Sequence, residues 1–232
     1  MKLSIIIPTL NEEENIDKLL SFLISHHDRS HFEIIVVDGG SGDGTLELIT
    51  QYEDVFLIES ELSSRSIQMN IGARNAQNEV LYFVHADVAL PQSFYQDIKW
   101  ALKKSPYGGY RYKFLSGNPL LKINGYFSRF PMMWCRGGDQ TLFITQEFFE
   151  ELGGFDEHYC VMEDFDLLRR AKPYATYYII KNDVFVSARK YQDNNYLKVQ
   201  LTNLKAFKMF NKGEPPSRIR NFYKAALGLK DY

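Results

Sequence analysis

The first half of the chain alternates short segments rich in β-branched and apolar residues with segments of helical periodicity. Strands are predicted at 3–8, 33–37, 55–58 and 80–84, with a later one at 141–145, and helices are predicted at 16–24, 45–52 and 67–76. This alternation is typical of a largely parallel sheet covered by helices. We therefore predict an α/β fold, in which polar residues that follow the strands meet at the carboxyl edge of the sheet.

The start of the first predicted helix carries an N-terminal signal. Asn11 precedes the apolar periodicity, and Glu14 follows three residues later. This spacing resembles a capping box, in which each side chain accepts a hydrogen bond from the other residue's backbone amide. We expect the helix to begin at this pair.

The length and composition favour a single domain over residues 1–232. Hydrophobic residues make up 45% and charged residues 24% of the chain, which is the balance of a globular protein. An α/β domain of this size commonly encloses one core. Past residue 105 the strand and helix rhythm changes, and we expect an α+β elaboration of the same domain.

The net charge of −2 conceals a basic end. Residues 190–232 contain nine Lys or Arg against three Asp or Glu, so the rest of the chain is acidic. Proteins that bind nucleic acid usually carry a basic face on the main domain. The charge distribution therefore argues against a nucleic-acid partner.

The cysteines and the hydropathy exclude several classes of protein. Cys135 and Cys160 are the only cysteines, and no CxxC or HExxH spacing occurs, so we expect two free thiols and no structural zinc. No apolar run reaches the about 18 residues that cross a bilayer. The N-terminus turns acidic where a signal peptide needs its apolar stretch. We expect a cytoplasmic protein.

A glycine-rich loop, VVDGGSGDGT, follows the second predicted strand and carries Asp38, Asp43 and Thr45. It contains neither the GxGxxG of a dinucleotide-binding loop nor the GxxxxGK[ST] of a P-loop. Two interpretations remain open. The loop is either a binding element for a phosphorylated ligand or a glycine-rich turn with a helix cap.

The fourth predicted strand ends in LYFVHAD, which delivers His85 and Asp87 to the same edge of the sheet. With the two-residue period of a strand, both side chains point the same way. A Mg²⁺ or Mn²⁺ ion that bridges a diphosphate needs few protein oxygens, because phosphate and water complete its shell. Asp87 is thus a candidate metal ligand, although His85 is equally compatible with a structural role.

An acidic cluster in the segment CVMEDFDLLRR opens a further predicted helix. Glu163, Asp164 and Asp166 all fall in its first turn. Acidic residues there favour the helix dipole, which is a purely structural explanation. Paired carboxylates beside a cleft are also the usual source of a general base. The residues alone leave both explanations open.

Taken in order, these segments resemble the family 2 glycosyltransferases of the GT-A fold over about residues 3–190. SIIIPTLNEEENI is similar to the family's first strand and donor-binding loop, VVDGGSGDGT to its Asp-x-Ser-x-Asp-x-Thr element, and HAD to its DXD element. The resemblance implies a mostly parallel central sheet flanked by helices. It implies a donor-nucleotide-binding half at about 1–105, an acceptor and catalytic half at 106–190, and a basic helical segment at 191–232.

The resemblance also implies roles for individual residues. Donor binding falls to Pro8, Glu12, Asp38, Ser41, Arg65, Gln68 and Asp87. Asp87 would bind Mn²⁺ or Mg²⁺, although His85 departs from the Asp that opens the family's DXD element. Asp164 would be the catalytic base with Glu163 beside it, and Asp139 and Gln140 would contact the transferred sugar or the acceptor.

The implied reaction is an inverting transfer of a sugar from a nucleoside-diphosphate sugar, preferably a UDP-sugar, to an acceptor hydroxyl that the sequence does not name. RSIQMNIGARNA, FVHAD, GGDQ, MEDFDLLRR and ARKY also resemble a bacterial subgroup associated with arsenosugar-type glycosyl transfer. Two alternatives remain. A nucleotidyltransferase would need a basic loop after the first strand, whereas PTLNEEEN is acidic, and an inactive sugar-nucleotide-binding module would not need both Asp87 and Asp164.

The basic C-terminal segment contains an amphipathic pattern between Tyr196 and Phe210. Its apolar residues Leu197, Leu201, Leu204 and Phe207 share a helical face, and its charges are Lys198, Lys205, Lys208 and Lys212. Such a helix either packs on the domain with a solvated basic side or lies on an anionic membrane. The second hypothesis implies peripheral contact with the inner face of the membrane, or with a lipid-linked acceptor.

Overall fold

The computed structural model describes residues 1–136, 140–191 and 194–228. In these ranges the strands are β1 (Leu3–Thr9), β2 (Phe32–Asp38), β3 (Val55–Glu59), β4 (Val80–Phe83), β5 (Val88–Ala89), β6 (Tyr107–Phe114), β7 (Leu142–Thr145) and β8 (Tyr178–Val186). The α-helices are α1 (Ile16–Ile24), α2 (Thr45–Ile49), α3 (Arg65–Asn75), α4 (Phe94–Ala101), α5 (Pro119–Phe127), α6 (Gln146–Glu151), α7 (Glu163–Ala171), α8 (Tyr196–Asn211) and α9 (Pro216–Leu227).

The described strands form one mixed sheet in the order β3-β2-β1-β4-β7-β6-β8-β5. The first four strands of this order are parallel, as the alternation of strands and helices predicts. Strand β7 runs antiparallel to both β4 and β6, and β8 is parallel to β6. The α/β prediction is confirmed, and the five predicted strands are found within one residue at each end.

Strand β1 lies inside the sheet and is covered on both faces. All seven of its residues are buried, which explains its continuous apolar run. On one face Ile5 belongs to a cluster with Leu20 and Phe94 of α1 and α4. On the other face Ile6 belongs to a cluster with Met69 of α3. The loop after β1 is therefore held on a rigid support.

The capping-box prediction at Asn11 and Glu14 is wrong. Helix α1 begins at Ile16, after Asn15. Asn11 has a positive φ of 53°, and its side chain accepts a hydrogen bond at 2.8 Å from the amide of Gly42. A contact with a distant loop thus takes the side chain that the local pattern assigns to the helix.

Helix α2 is shorter than predicted. It ends at Ile49, whereas the sequence predicted an end near Tyr52. The Tyr52 hydroxyl donates to Asp17 Oδ1 at 2.6 Å and lies 2.7 Å from Ser21 Oγ. The chain after α2 is thereby tied to α1 before it enters β3. Again a tertiary contact decides the boundary.

The C-terminal helices pack on each other and on the start of α7. Val199, Ala206 and Phe210 of α8 are buried in a cluster that includes Phe165 of α7 and Ile219 of α9. Three residues of the apolar face predicted for α8 do not pack in this cluster, since Leu197, Leu201 and Leu204 are exposed. Among the described residues, none of the helices has the length and apolarity that a membrane span requires.

Gly108 lies in β6, between β7 and β8, and leaves no room for a side chain. A Cβ atom there would lie 2.1 Å from the backbone oxygen of Tyr178 and 2.7 Å from the Phe143 ring. We expect Gly108→Ala to lower the free energy of unfolding by about 2–3 kcal/mol, because neither the strand nor the packed ring can move away freely. Urea denaturation followed by circular dichroism measures the change.

Gly117→Ala is the matched control, because a Cβ atom at Gly117 meets nothing within 4 Å. We expect the control to change stability by less than about 0.5 kcal/mol. Equal effects of the two substitutions would show that the close contact at Gly108 does not constrain the sheet.

Candidate active site

A cavity of about 980 Å³ opens at the carboxyl ends of β1 and β4. The described residues that line it come from the loop after β1, the start of α3, the loop after β4, the start of α7, the turn after β8 and the facing sides of α5, α8 and α9. Such an edge is where open α/β sheets bind ligands. Pro8, Glu12, Arg65, Gln68 and Asp87 line the cavity together.

The loops after β1 and β2 are joined by hydrogen bonds between backbone amides and side-chain oxygens. The amide of Glu12 donates to Thr45 Oγ1 at 2.8 Å, and the amide of Gly44 donates to Glu13 Oε2 at 2.8 Å. Asp43 accepts from the hydroxyl of Thr45 at 2.5 Å. Burial raises the pKa of Asp43, but the bonds from Thr45 and nearby amides outweigh it and lower that pKa. The glycine-rich loop is therefore a fixed wall.

Asp38 and Ser41 organise this wall and are not among the described residues that line the cavity. Asp38 is fully buried, and its carboxylate accepts from the amides of Gly40 and Ser41, both at 2.8 Å. The Ser41 hydroxyl also donates to Asp38 at 2.5 Å. Their position next to the donor loop fits the predicted neighbourhood, but the carboxylate of Asp38 is engaged by its own loop.

Gln68 is a buried polar side chain of α3 whose hydrogen bonds are made within the core. Its Nε2 donates to the carbonyl oxygens of Thr9 and Val37, both at 2.8 Å. One amide group thus joins the ends of β1 and β2 from within the core. A Cβ atom at Gly39 would lie 3.1 Å from this nitrogen, so the glycine permits the close approach.

His85 and Asp87 follow β4, and both line the cavity. Both are half-buried, whereas Ala86 between them is buried. This alternation agrees with the prediction that the two side chains share one side of the strand end. Asp87 therefore offers its carboxylate to the same space as the loop after β1.

Glu163 and Asp164 open α7, and the structure separates their environments. Glu163 is 2% exposed and forms an ion pair at 3.3 Å with Arg65 of α3. Burial raises the pKa of Glu163, and the nearby guanidinium of Arg65 opposes the rise. Asp164 is half-buried at the cavity, and its Oδ1 accepts from the amide of Phe165 at 2.8 Å. Asp164 is thus the more accessible carboxylate.

The residue before this helix has an unusual backbone conformation. Met162 has a φ of 73° and a ψ of 12°, which is the left-handed region. This region is unfavourable for a residue with a side chain. Asp166 on the same turn binds Arg169 and Arg170 at 2.9 and 2.7 Å and serves the helix itself.

Of the two residues predicted to contact the sugar or the acceptor, the structure describes only Gln140. Asp139 lies outside the described residues. Gln140 is buried, and its Oε1 accepts from Arg136 at 3.3 Å. It is not among the described residues that line the cavity. Gln140 therefore supports Arg136 rather than facing the cavity.

The sequence reasoning missed Arg136, which lines the cavity, and Tyr177, which packs against Arg136. Arg136 is buried at the cavity, and its guanidinium stacks on the Tyr177 ring at 4.6 Å. Burial raises the pKa of Tyr177 to about 12, against the lowering effect of Arg136. The only sequence signal was an arginine immediately before the GGDQ segment, while Tyr177 lies about 40 positions further along the chain, directly before β8.

Arg189 connects the far side of the cavity to the donor loop. Its Nη2 lies 2.7 Å from Glu12 Oε1, although the two residues are 177 positions apart. The same carboxyl group accepts from Asn15 through Oε2 at 2.8 Å. The turn after β8 is thereby fixed over the loop after β1.

One other cluster of metal-ligating side chains occurs in the described residues, formed by His26, His27 and Asp28. The ring of His26 is already engaged, since Nδ1 accepts from the amide of Asp28 at 3.1 Å and Nε2 lies 2.9 Å from the carbonyl of Gln92. These residues follow α1 at the opposite edge of the sheet from Asp87. They do not contribute to the cavity.

The curated relatives of this chain include proteins that are named as glycosyltransferases. The chain is 27% identical over 183 residues to the glycosyltransferase AglE of Haloferax volcanii, which covers 72% of this chain and 60% of that protein. It is 32% identical over 93 residues to the poly(ribitol-phosphate) β-N-acetylglucosaminyltransferase TarS of Staphylococcus aureus, which covers 38% of this chain and 16% of that protein. The chain thus spans only part of the length of these relatives.

Solved structures share the fold at low sequence identity. The TarS 1-349 fragment in complex with UDP-GlcNAc matches with a TM-score of 0.68 and 17% identity, over 98% of this chain and 72% of that one. The mannosyltransferase PcManGT of Pyrobaculum calidifontis, in complex with GDP-Man and Mn²⁺, matches with a TM-score of 0.67 and 19% identity, over 98% and 70%. These neighbours are GT-A glycosyltransferases.

The family model described as "Glycosyl transferase family 2" matches residues 4–157. This range extends from β1 to β7 and contains the loops that carry Glu12, Asp38 and Asp87. This range is more than half of the chain. The chain belongs to glycosyltransferase family 2 and has the GT-A fold.

Proposed function

We propose that this chain is a metal-dependent, inverting glycosyltransferase that moves a sugar from a nucleoside-diphosphate sugar, preferably a UDP-sugar, to an acceptor hydroxyl. The observation that carries the proposal is the placement of Asp87 and Asp164 on one cavity of about 980 Å³. That volume is in the range of small-molecule sites. The neighbours bound to UDP-GlcNAc, UDP and GDP-Man support a nucleotide-sugar donor.

The residues after β4 fit a divalent cation. The carboxylate of Asp87 is a hard oxygen ligand, and His85 borders the same space. Asp87 would hold Mn²⁺ or Mg²⁺, and the bound ion would supply positive charge to the departing diphosphate. The neighbour in complex with GDP-Man and Mn²⁺ supports this choice of ion.

The two carboxylates of α7 have different tasks in the proposed reaction. Asp164 is the general base, which removes the proton from the acceptor hydroxyl as that oxygen attacks the anomeric carbon. Glu163 is committed to Arg65 at 3.3 Å and positions the start of the helix. One displacement from the face opposite the diphosphate inverts the anomeric centre.

The donor would lie between the loop after β1 and the start of α3. Pro8, Glu12, Arg65 and Gln68 line this part of the cavity, and Asp38 and Ser41 hold the adjoining loop. Gln68 is already bonded to Thr9 and Val37, so it shapes the floor. Arg136 lies on the side where the acceptor would enter, and Asp139 and Gln140 adjoin it in sequence.

The alternative functions are less well supported. A nucleotidyltransferase needs cations in the loop after the first strand, and here Glu12 and Glu13 occupy it. An inactive sugar-nucleotide-binding module would not require two carboxylates, Asp87 and Asp164, at one cavity. We place the protein in the cytoplasm or against the inner face of the membrane.

Asp87→Ala tests the metal assignment. We expect transfer to fall by roughly 100-fold or more, because the diphosphate would lose its counter-charge. The residual rate should no longer respond to added Mn²⁺ or Mg²⁺. Transfer is measured with a panel of UDP-, GDP- and dTDP-sugars, after thermal-shift screening has identified the donor that stabilises the protein.

Glu59→Gln is the control for this measurement. Glu59 is an exposed carboxylate at the end of β3 and is not among the described residues that line the cavity. We expect the control to keep the wild-type rate and metal response. Full activity of the wild-type protein in EDTA would refute the metal assignment.

Asp164→Asn tests the base. The substitution keeps the size and one oxygen but cannot accept the proton. We expect donor affinity to stay near the wild-type value while single-turnover transfer falls by roughly 100-fold or more. Donor affinity and transfer are measured on the same preparation.

Glu163→Gln is the matched neighbour of this variant. Gln can still accept a hydrogen bond from Arg65, so we expect a smaller loss of transfer than for Asp164→Asn. If Glu163→Gln abolished transfer and Asp164→Asn did not, Glu163 would be the base.

A further inference from the structure

The segment from Leu115 to Trp134, here called the aromatic arm, exposes an unusual amount of apolar surface. It comprises the loop after β6, helix α5 and residues 128–134. Its exposed large apolar side chains, with relative exposures between 36% and 61%, are Leu115, Leu120, Ile123, Tyr126, Phe127, Phe130, Met132 and Trp134. Contiguous apolar surface of this kind marks a contact with a partner or a membrane.

Helix α5 is anchored so that its apolar face points outward. Its inner side consists of the buried Leu121 and Gly125. A Cβ atom at Gly125 would lie 2.9 Å from the backbone oxygen of Tyr112, so the helix rests directly on β6. Leu120, Ile123 and Phe127 are spaced by three or four residues on the other side. Their exposure is therefore a property of the packing.

The aromatic rings of the arm support one another. Phe127 lies 5.6 Å from Trp134 and 6.1 Å from Tyr126, between ring centroids. Tyr126 lies 5.8 Å from Phe130. The rings thus form a continuous surface that keeps its shape without a covering element.

The arm is basic as well as apolar. Its charged residues are Lys122 and Arg129, and residues 115–134 contain no Asp or Glu. Lys122 and Arg129 of the arm are exposed, seven residues apart, and the Arg129 guanidinium lies 4.9 Å from the Tyr126 ring centre. A helix with aromatic and aliphatic residues beside lysine or arginine is typical of an element that lies in a membrane interface.

Helix α8 adds a second apolar border on the other side of the cavity. The Tyr196 hydroxyl donates to Asn124 Oδ1 of α5 at 2.8 Å, which joins the start of α8 to the arm. Leu204 of α8 lines the cavity, as do Phe127 and Trp134 of the arm. The apolar surface therefore continues into the cavity mouth.

We infer that the aromatic arm docks on an anionic lipid bilayer, with its rings at the level of the headgroups and Lys122 and Arg129 against the lipid phosphates. Anionic lipids attract basic segments, and Trp and Tyr favour the membrane interface. Docking of a second copy would bring two basic surfaces together, which the charge disfavours. The inference rests on the proposed function only in that the acceptor would reach the cavity from the membrane side.

The two tryptophans of the chain provide a built-in test. Trp100→Phe leaves Trp134 as the only tryptophan, and Trp134→Phe leaves Trp100. Trp100 is a matched reference, because it is 52% exposed against 54% for Trp134 and has Lys104 beside its ring. The probes are vesicles of phosphatidylcholine alone and of phosphatidylcholine mixed with phosphatidylglycerol, with and without bromine on the acyl chains.

With the anionic vesicles, we expect the fluorescence of Trp134 to shift to shorter wavelength and to be quenched by the brominated chains. We expect no shift and no quenching for Trp100. Quenching of both tryptophans, or of neither, would overturn the inference.

Substitutions then locate the contact. We expect Ile123→Ser with Tyr126→Ser to lower the fraction that sediments with anionic vesicles at least tenfold. Phe56→Ser with Leu62→Ser, which removes equally exposed apolar side chains outside the arm, should leave it unchanged. If Leu197→Ser with Leu201→Ser abolished sedimentation and the arm variant did not, the contact would belong to α8.

Two further measurements separate the remaining outcomes. Analytical ultracentrifugation without lipid detects self-association, and a dimer that the arm substitutions dissociate, together with no vesicle binding, would assign the surface to a second copy. Donor-induced thermal shift on the same variants should match the wild type. Loss of vesicle binding by the arm variant with an unchanged donor shift supports the docking surface independently of the proposed transfer reaction, and unchanged vesicle binding refutes it.

Discussion

The site depends on one buried amide. Gln68 donates both of its hydrogen bonds to carbonyl groups at the ends of β1 and β2, and it comes from α3, which crosses behind both strands. Strand ends carry carbonyl groups that have no partner in the sheet, and burying such a group unbonded costs about 1–3 kcal/mol. Gln68 bonds to two such groups, and the Thr9 carbonyl also accepts from the amide of Gly39 at 2.9 Å, so the loops leave the sheet at a fixed angle. The hydrogen bonds between Glu12, Thr45, Glu13 and Gly44 then build on that angle.

A second tie crosses the cavity. Arg65, three residues before Gln68, pairs with the buried Glu163 of α7. Glu163 is buried whereas the Arg65 side chain is 43% exposed, so removal of Arg65 would leave a buried carboxylate without this counter-charge, which is costly. Helix α3 thus fixes both the donor side through Gln68 and the start of α7 through Arg65. The pair of Glu12 and Arg189 makes a comparable link at the mouth, and together they hold elements far apart in the chain around one space.

The sequence was sufficient where local patterns decide the structure. The parallel strands and the position of His85 and Asp87 follow from apolar runs and the two-residue period, and the structure has them as predicted. The errors have a common cause in tertiary contacts. Asn11 bonds to Gly42 rather than capping α1, and Tyr52 bonds to Asp17 beyond the end of α2. Tyr177 was missed because only the pairing of β6 with β8 brings it near Arg136. Helix α5 was also missed, and its exposed apolar side is set by the packing of Leu121 and Gly125 on β6, which no local pattern shows.

The left-handed backbone at Met162 has a consequence for how α7 keeps its direction. A residue with a side chain adopts this conformation at a cost of about 1–2 kcal/mol, and it has few neighbouring conformations to which it can escape. Glycine would remove the cost, but it would also open the mirror-image half of backbone space at this position. The side chain of Met162 therefore restricts the angles at which the chain can enter the helix. Because the backbone at Met162 has few alternative conformations, less conformational entropy has to be lost when Asp164, two positions later, is held in place.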